Sequence, residues 1–172
     1  MEVPRLPTPK PPAPPLAAPQ PMATAGTHET VMDVLCAQAP SGRVLDLGCG
    51  EGALSLQLAA RKYEVWAADL VQPPFDLPAA GIRVTVVDIE AGLPFASNCF
   101  DAVACVEVLE HLANPGRLLD EVGRVLRPAG VVVLSTPNIL NLWSRLRFLL
   151  TGYHNFDKPL AQERADSARD HI

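Results

Sequence analysis

The sequence predicts an α/β fold in which a doubly wound, mostly parallel sheet carries helices on both faces. Short segments that are apolar almost throughout alternate along the chain with amphipathic helical segments. Strands of this kind are buried on both faces, which is typical of parallel sheets. A glycine-rich turn follows the first apolar segment, and in such folds ligands lie at the carboxyl ends of the strands.

The predicted elements follow one another in a regular order. Helices over residues 27–39, 53–61 and 115–127 place apolar side chains at helical spacing. A turn at Pro128, Ala129 and Gly130 separates the third of these helices from the last strand. The five predicted strands cover residues 43–47, 64–69, 83–88, 100–106 and 131–135. Between the second and third strands, a segment with three prolines predicts a loop that covers the sheet thinly.

The distribution of proline divides the chain into a proline-rich N-terminal segment and a longer remainder of ordinary composition. Nine of the 18 prolines fall within the first 22 of 172 residues, and proline removes backbone donors that helices and sheets need. We therefore predict a proline-rich, disordered tail over residues 1–24. A ligand-binding core follows over residues 25–138, and residues 139–172 form a substrate-side helix or lid with an incomplete C-terminal part.

Charge and composition disfavour several classes of protein. Fourteen basic and 19 acidic residues give a net charge of −5, so neither nucleic-acid binding nor anionic-membrane binding is expected. No apolar run approaches the ~18 residues of a membrane helix, and no secretory signal is predicted. The cysteines are scattered, which is typical of reduced thiols in a cytoplasmic protein. They are Cys36, Cys49, Cys99 and Cys105.

The loop after the first strand has the spacing of a ligand-binding turn. Gly48, Gly50 and Gly52 alternate between a strand and a helix, which lets the backbone turn tightly and approach a ligand closely. A glycine-rich turn that binds nothing is the alternative. A dinucleotide-binding loop would read GxGxxG, whereas the third glycine comes one residue early here.

Acidic residues stand at the ends of three successive predicted strands. Asp46 precedes the glycines, where a carboxylate suits a cationic ligand and repels a diphosphate, so an NAD-dependent enzyme is disfavoured. Asp69 ends the second strand and is placed to accept hydrogen bonds from ribose hydroxyls. Asp88 ends the third strand. A solvated strand end at Asp69 and a turn residue at Asp88 are the alternatives.

Several motifs in order resemble those of the class I S-adenosylmethionine-dependent methyltransferases, over about residues 42–138. Residues 46–52 resemble the family's D-x-G-x-G-x-G loop, and residues 93–101 are similar to its LPF…SFD segment. Residues 105–112 resemble its EVLEH segment, and residues 126–130 resemble its LRPGG turn.

The resemblance implies a Rossmann-like methyltransferase fold with S-adenosylmethionine as cofactor. The glycine loop would surround the methionine part of the cofactor, and Asp69 would bind the ribose. Asp88 and Ile89 would lie beside the adenine. The implied cofactor-binding residues are Asp46, Gly48, Cys49, Gly50, Gly52, Asp69, Leu70, Asp88, Ile89 and Cys105.

Methyl transfer to a small-molecule hydroxyl is the activity that the resemblance implies. Transfer depends mostly on alignment, and a general base helps when the acceptor is a hydroxyl. His111, after the fourth strand, is the candidate base, and a structural histidine bonded to Glu107 or Glu110 is the alternative. No NPPY-like sequence follows the fourth strand, which disfavours amino-methylation of DNA bases.

The C-terminal part of the chain predicts an incomplete sheet. Residues 139–150 form a nearly all-apolar helix that we interpret as a substrate lid, with core packing or a face for a partner or a lipid surface as alternatives. Residues 157–172 are charged and residues 165–172 show no strand alternation, so the family's last two strands are predicted to be lacking and the fifth strand to be an exposed edge. A fragment, an edge covered by a partner chain and a degenerate form remain open. The alternative function is therefore a cofactor-binding pseudoenzyme or a partner-dependent module.

Overall fold

The structure is a computed structural model, and it describes residues 18–138 together with Arg145, Leu149 and Leu150. Residues 18–138 contain three α-helices, five strands and two short 3₁₀ helices. In chain order the main elements are α1 (Thr27–Gln38), β1 (Arg43–Leu47), α2 (Ala53–Ala60), β2 (Glu64–Asp69), β3 (Arg83–Val86), β4 (Phe100–Val106), α3 (Pro115–Val125) and β5 (Leu126–Ser135). The 3₁₀ helices are Leu77–Ala80 and Leu109–His111.

The five strands form one sheet in the order β3-β2-β1-β4-β5. β1 pairs in parallel with both β2 and β4, and β2 pairs in parallel with β3. Successive residues of β1 face opposite sides of the sheet, since Val44 packs with α1 and α2 whereas Leu45 and Leu47 pack with α3. Helices therefore cover both faces, and the predicted doubly wound α/β fold is confirmed.

Three of the predicted strands have the bounds that the structure shows. β1, β2 and β4 match their predicted residues, while β3 ends two residues early, at Val86. The prediction that a turn at residues 128–130 separates α3 from the last strand is wrong, because β5 already begins at Leu126. A bend persists inside it: Ala129 has a φ of +64°, and a Cβ on Gly130 would lie 2.9 Å from the Arg127 carbonyl oxygen.

The proline-rich connection between β2 and β3 contains no α-helix, as predicted, but it does not leave the sheet uncovered. Asp76 caps the 3₁₀ helix Leu77–Ala80 by accepting from the Ala79 N–H at 3.2 Å. Leu77 and Ile82 are buried in the same apolar cluster as α1 and α2. These two apolar side chains thus cover this part of the sheet.

Two arginines of α3, Arg117 and Arg124, hold the connection between β3 and β4. Arg124 donates to the carbonyl oxygens of Phe95 and Leu93 at 2.7 and 3.0 Å. It also pairs with Glu121, which accepts from the Leu93 N–H at 2.9 Å. These bonds lower the pKa of Glu121 to about 2, so Glu121 and Arg124 form an ion pair at neutral pH.

The chain divides into two compact units, residues 1–134 and 135–172. In the second unit the structure describes residues 135–138 and the three helical positions Arg145, Leu149 and Leu150, of which the two leucines are largely exposed. Most of the predicted lid over residues 139–150, and the predicted lack of two further strands, lie outside the described residues. None of the described helices is long and apolar enough to span a bilayer.

Candidate functional site

The loop that follows β1 requires glycine at three positions. Gly48, Gly50 and Gly52 have φ values of +75°, +53° and +90°, a region that side chains with a Cβ rarely adopt. A Cβ on Gly48 would lie 2.2 Å from the Val108 Cγ2, and one on Gly52 would lie 2.6 Å from a Leu77 methyl. The predicted tight turn and close approach are therefore both present.

Hydrogen bonds hold this loop against the carboxyl end of β2. The Gly48 and Cys49 N–H groups both donate to the Ala68 carbonyl, at 2.8 and 3.2 Å. The Gly50 N–H donates to the Asp69 Oδ2 at 2.8 Å. The other carboxylate oxygen of Asp69 accepts from the Val71 N–H at 3.3 Å. Asp69 thus fixes the loop, and each of its oxygens retains a second lone pair for a ligand.

Asp46 is an ionisable group buried beneath the loop. Only 2% of its surface is exposed, and its Oδ2 accepts from the Ser55 hydroxyl at 2.5 Å. Burial, reinforced by the charge of Asp69, raises the pKa of Asp46 to about 6, although the Ser55 hydroxyl opposes the shift. A cationic ligand would favour the carboxylate form, so the site is electrostatically prepared for positive charge.

Asp88 and Ile89 form a turn after β3. The Asp88 Oδ1 accepts from the Glu90 N–H at 2.9 Å, which is the turn geometry expected as the alternative. Ile89 packs partly against the apolar cluster of α3. Asp88 borders an open cleft of about 700 Å³ between this turn and α3. Leu70, next to Asp69, is 65% exposed. An apolar side chain this exposed beside the loop is available to a ligand.

The two cysteines named as cofactor contacts are neutral thiols. Burial raises the pKa of both Cys49 and Cys105 to about 12, and the Asp46 charge adds to the shift in each case. Neither is therefore a thiolate nucleophile at neutral pH. Both thiols are free, as are those of Cys36 and Cys99.

The segment after β4 carries the candidate base. His111 is exposed at the end of the short helix Leu109–His111. Glu107 has an unusual φ of +54°, and its carboxylate accepts from the N–H and the hydroxyl of Thr24, both at 3.3 Å. Glu107, one of the two carboxylates that the alternative for His111 names, thus binds the chain that precedes α1.

Two polar residues near the carboxyl ends of the strands were not predicted from the sequence as part of the site. Ser55, in the first turn of α2, orients Asp46, and a hydroxyl among the apolar residues that begin this helix was the signal that could have found it. His28 is 8% exposed at the start of α1, and its Nδ1 is buried without a hydrogen bond within the described chain. Burial lowers the pKa of His28, although Glu29 and Glu107 partly oppose the shift.

The family model and the curated relatives that match this sequence are both described as methyltransferases. Residues 45–134 match the family described as a methyltransferase domain. A ubiquinone biosynthesis O-methyltransferase from Psychrobacter cryohalolentis is 33% identical over 144 residues, covering 72% of this chain and 55% of the relative. The chain spans about half the length of the curated relatives it matches.

Solved structures with similar folds agree with the sequence comparison. The PH0226 protein of Pyrococcus horikoshii has a TM-score of 0.60 and 27% identity, over 72% of this chain and 59% of that one. The 1,6-didemethyltoxoflavin-N1-methyltransferase of Burkholderia thailandensis has a TM-score of 0.53 and 26% identity, over 59% of this chain and 48% of that one. That enzyme was solved with 1,6-didemethyltoxoflavin and S-adenosylhomocysteine bound.

Proposed function

The chain belongs to the class I S-adenosylmethionine-dependent methyltransferase family, and we propose that it transfers a methyl group from S-adenosylmethionine to a hydroxyl of a small molecule. The observation that carries this proposal is the pairing of a left-handed glycine loop with the buried Asp46 carboxylate. The loop admits a ligand close to its backbone, and the carboxylate favours one that is positively charged. S-adenosylmethionine, when bound, supplies an electrophilic methyl group on a sulfonium.

The proposed cofactor contacts divide by chemistry. Asp46 balances the positive charge of the methionine part, while Gly48, Gly50 and Gly52 let the backbone approach it. Asp69 accepts from the ribose hydroxyls with the lone pairs that the loop leaves open. Asp88 and Ile89 bind the adenine. Cys49, Leu70 and Cys105 complete the proposed set of cofactor contacts.

Partner and location are further parts of the proposal. β5 is an edge of the described sheet, where Val132 and Leu134 are 41% and 38% exposed. We propose that a partner chain or further strands cover this edge, because an unpaired apolar edge promotes aggregation. The four free thiols favour a reducing compartment, and we propose the cytoplasm.

Calorimetric titration tests cofactor identity. We expect S-adenosylmethionine and S-adenosylhomocysteine to bind at a single site with micromolar affinity or better, and NAD not to bind. The physical reason is that the Asp46 carboxylate attracts a cation and repels a diphosphate. Failure of both sulfur compounds to bind would refute the proposal, and binding without turnover on any hydroxyl acceptor would favour the partner-dependent module.

His111 is the proposed general base for the acceptor hydroxyl. It is exposed at the carboxyl edge of the sheet, where an acceptor would approach. We expect His111→Ala to lower kcat by about 100-fold, as loss of a general base typically does, and to leave the Kd for S-adenosylhomocysteine unchanged. The assay follows methyl transfer to a panel of phenolic and aliphatic alcohols. Equal turnover by the variant and the unaltered chain would exclude this role.

A further inference from the structure

A short segment before α1 lies across the carboxyl edge of the sheet. We call residues 18–24 the strap. At one end the Gln20 N–H donates to the Glu51 Oε2 at 3.0 Å, on the glycine loop. At the other end the N–H and hydroxyl of Thr24 donate to the Glu107 Oε1, just after β4. The strap is therefore fastened to both sides of the proposed cofactor site.

Met22 lies in the middle of the strap, against the glycine loop. A Cβ placed on Gly50 would be 2.9 Å from the Met22 sulfur, which shows how closely the side chain approaches the loop. Nevertheless 80% of the Met22 surface is exposed. A flexible apolar side chain is thus held over the loop with little to pack against, and methionine adapts readily to an irregular ligand surface.

The anchoring residues are well suited to hold the strap in place. Residues 18–22 are rich in proline, so the strap has little conformational freedom to lose when it is fastened. Glu107 adopts its left-handed backbone at a cost that surrounding contacts must offset, and such strain is concentrated at functional sites. Both acceptors are carboxylates, which strengthen hydrogen bonds from neutral donors.

We propose that the strap is an outer wall of the cofactor site, that Met22 packs on the bound cofactor, and that Glu51 and Glu107 are the positioning residues that hold the wall closed. The inference rests on the proposed function, because it assigns the strap to the same cofactor. It predicts that cofactor binding buries Met22 and that release of either end of the strap weakens cofactor binding.

Peroxide oxidation of the full chain, followed by peptide mass spectrometry, tests the position of Met22. S-adenosylmethionine is the probe, since its sulfonium does not consume peroxide. We expect saturating S-adenosylmethionine to slow Met22 oxidation by about fivefold, because the cofactor covers a side chain that is otherwise 80% exposed. Met32, which is 3% exposed in the core, is the internal control and should oxidise slowly in both states.

Two matched pairs of variants test the anchors. Gln20→Pro removes the N–H that binds Glu51 and suits a segment already rich in proline, whereas Gln20→Ala keeps that N–H. Thr24→Val removes the hydroxyl that binds Glu107, and Thr24→Ser keeps it. We expect the proline and valine variants each to raise the Kd for S-adenosylhomocysteine about threefold, and their combination about tenfold, with the controls unchanged. Thermal unfolding should not differ, since the altered bonds are exposed.

The outcomes separate this inference from the function on which it rests. A chain that binds neither S-adenosylmethionine nor S-adenosylhomocysteine overturns both. If the chain binds them while Met22 oxidises at an unchanged or faster rate, the strap is uninvolved or displaced. That result overturns the proposal that the strap is a wall of the site and leaves the proposed function standing. Equal Kd values within both matched pairs would also overturn it.

Discussion

Asp46→Asn should weaken S-adenosylmethionine binding by about 1000-fold while leaving the ligand-free protein at least as stable at pH 8. Removing one member of a buried charge pair typically costs 2–5 kcal/mol, and ~4 kcal/mol corresponds to that factor. Without the ligand the same carboxylate is unfavourable, since it is 2% exposed and has no cationic partner among the described residues. An amide avoids this penalty and can still accept from Ser55. Calorimetry and urea unfolding measure the two effects.

The stability difference should depend on pH in a defined direction. The pKa of Asp46 is about 6 in the folded chain and near 3.8 in the unfolded one, so the folded state binds the proton more tightly. The stabilisation from the protonated form is present below about pH 4 and is lost as the pH rises through 6. The unaltered chain should therefore lose on the order of 3 kcal/mol relative to the variant between pH 4 and pH 8.

Asp101 provides a matched control of the opposite sign. It lies at the amino end of β4, accepts from the Arg43 N–H at 2.7 Å and pairs with Arg127. These contacts lower its pKa, so its contribution to stability is present at neutral pH and lost in acid. Asp101→Asn should destabilise the protein at pH 8 and leave cofactor affinity unchanged. If Asp46→Asn behaves in the same way, Asp46 is structural and the cation site is refuted.

The central strands could be predicted from the sequence because local signals determine their ends. β1 is a short apolar run between Gly42 and the glycine loop, and β2 and β4 are runs of the same kind. β5 was predicted less well, since a proline, an alanine and a glycine signal a turn, whereas the strand already begins at Leu126 and contains the bend at Ala129. The turn residues therefore bend this strand without ending it.

The conformation of the glycine loop could be predicted from the spacing of its residues, whereas contacts between remote residues could not. Three alternating glycines between a strand and a helix predict a tight turn, and all three have the positive φ that such a turn needs. The strap could not be found in this way, because its composition predicts part of a proline-rich, disordered tail and does not indicate the residues to which it attaches. Gln20 meets Glu51 across 31 positions and Thr24 meets Glu107 across 83. Nothing local in a proline-rich segment encodes these partners.

Gly48→Ala should destabilise the protein by roughly 3 kcal/mol and abolish measurable cofactor binding. A left-handed backbone costs a residue with a Cβ about 1–2 kcal/mol. Overpacking adds a further ~1–3 kcal/mol, because the new Cβ would lie 2.2 Å from the Val108 Cγ2. Relief of that clash would also displace the Gly48 N–H from the Ala68 carbonyl and move the loop. Urea unfolding measures the first effect and calorimetry the second.

A second substitution separates the two causes. Val108→Ala removes the methyl groups that the new Cβ would meet, so combining it with Gly48→Ala should recover ~1–2 kcal/mol relative to the sum of the single changes. The backbone penalty should remain, because φ at Gly48 is +75° whichever side chain stands opposite. Cofactor binding should return only in part, since the loop still carries a strained residue. Strict additivity of the two changes would show that Val108 does not limit the loop, and that the glycine is needed for its conformation alone.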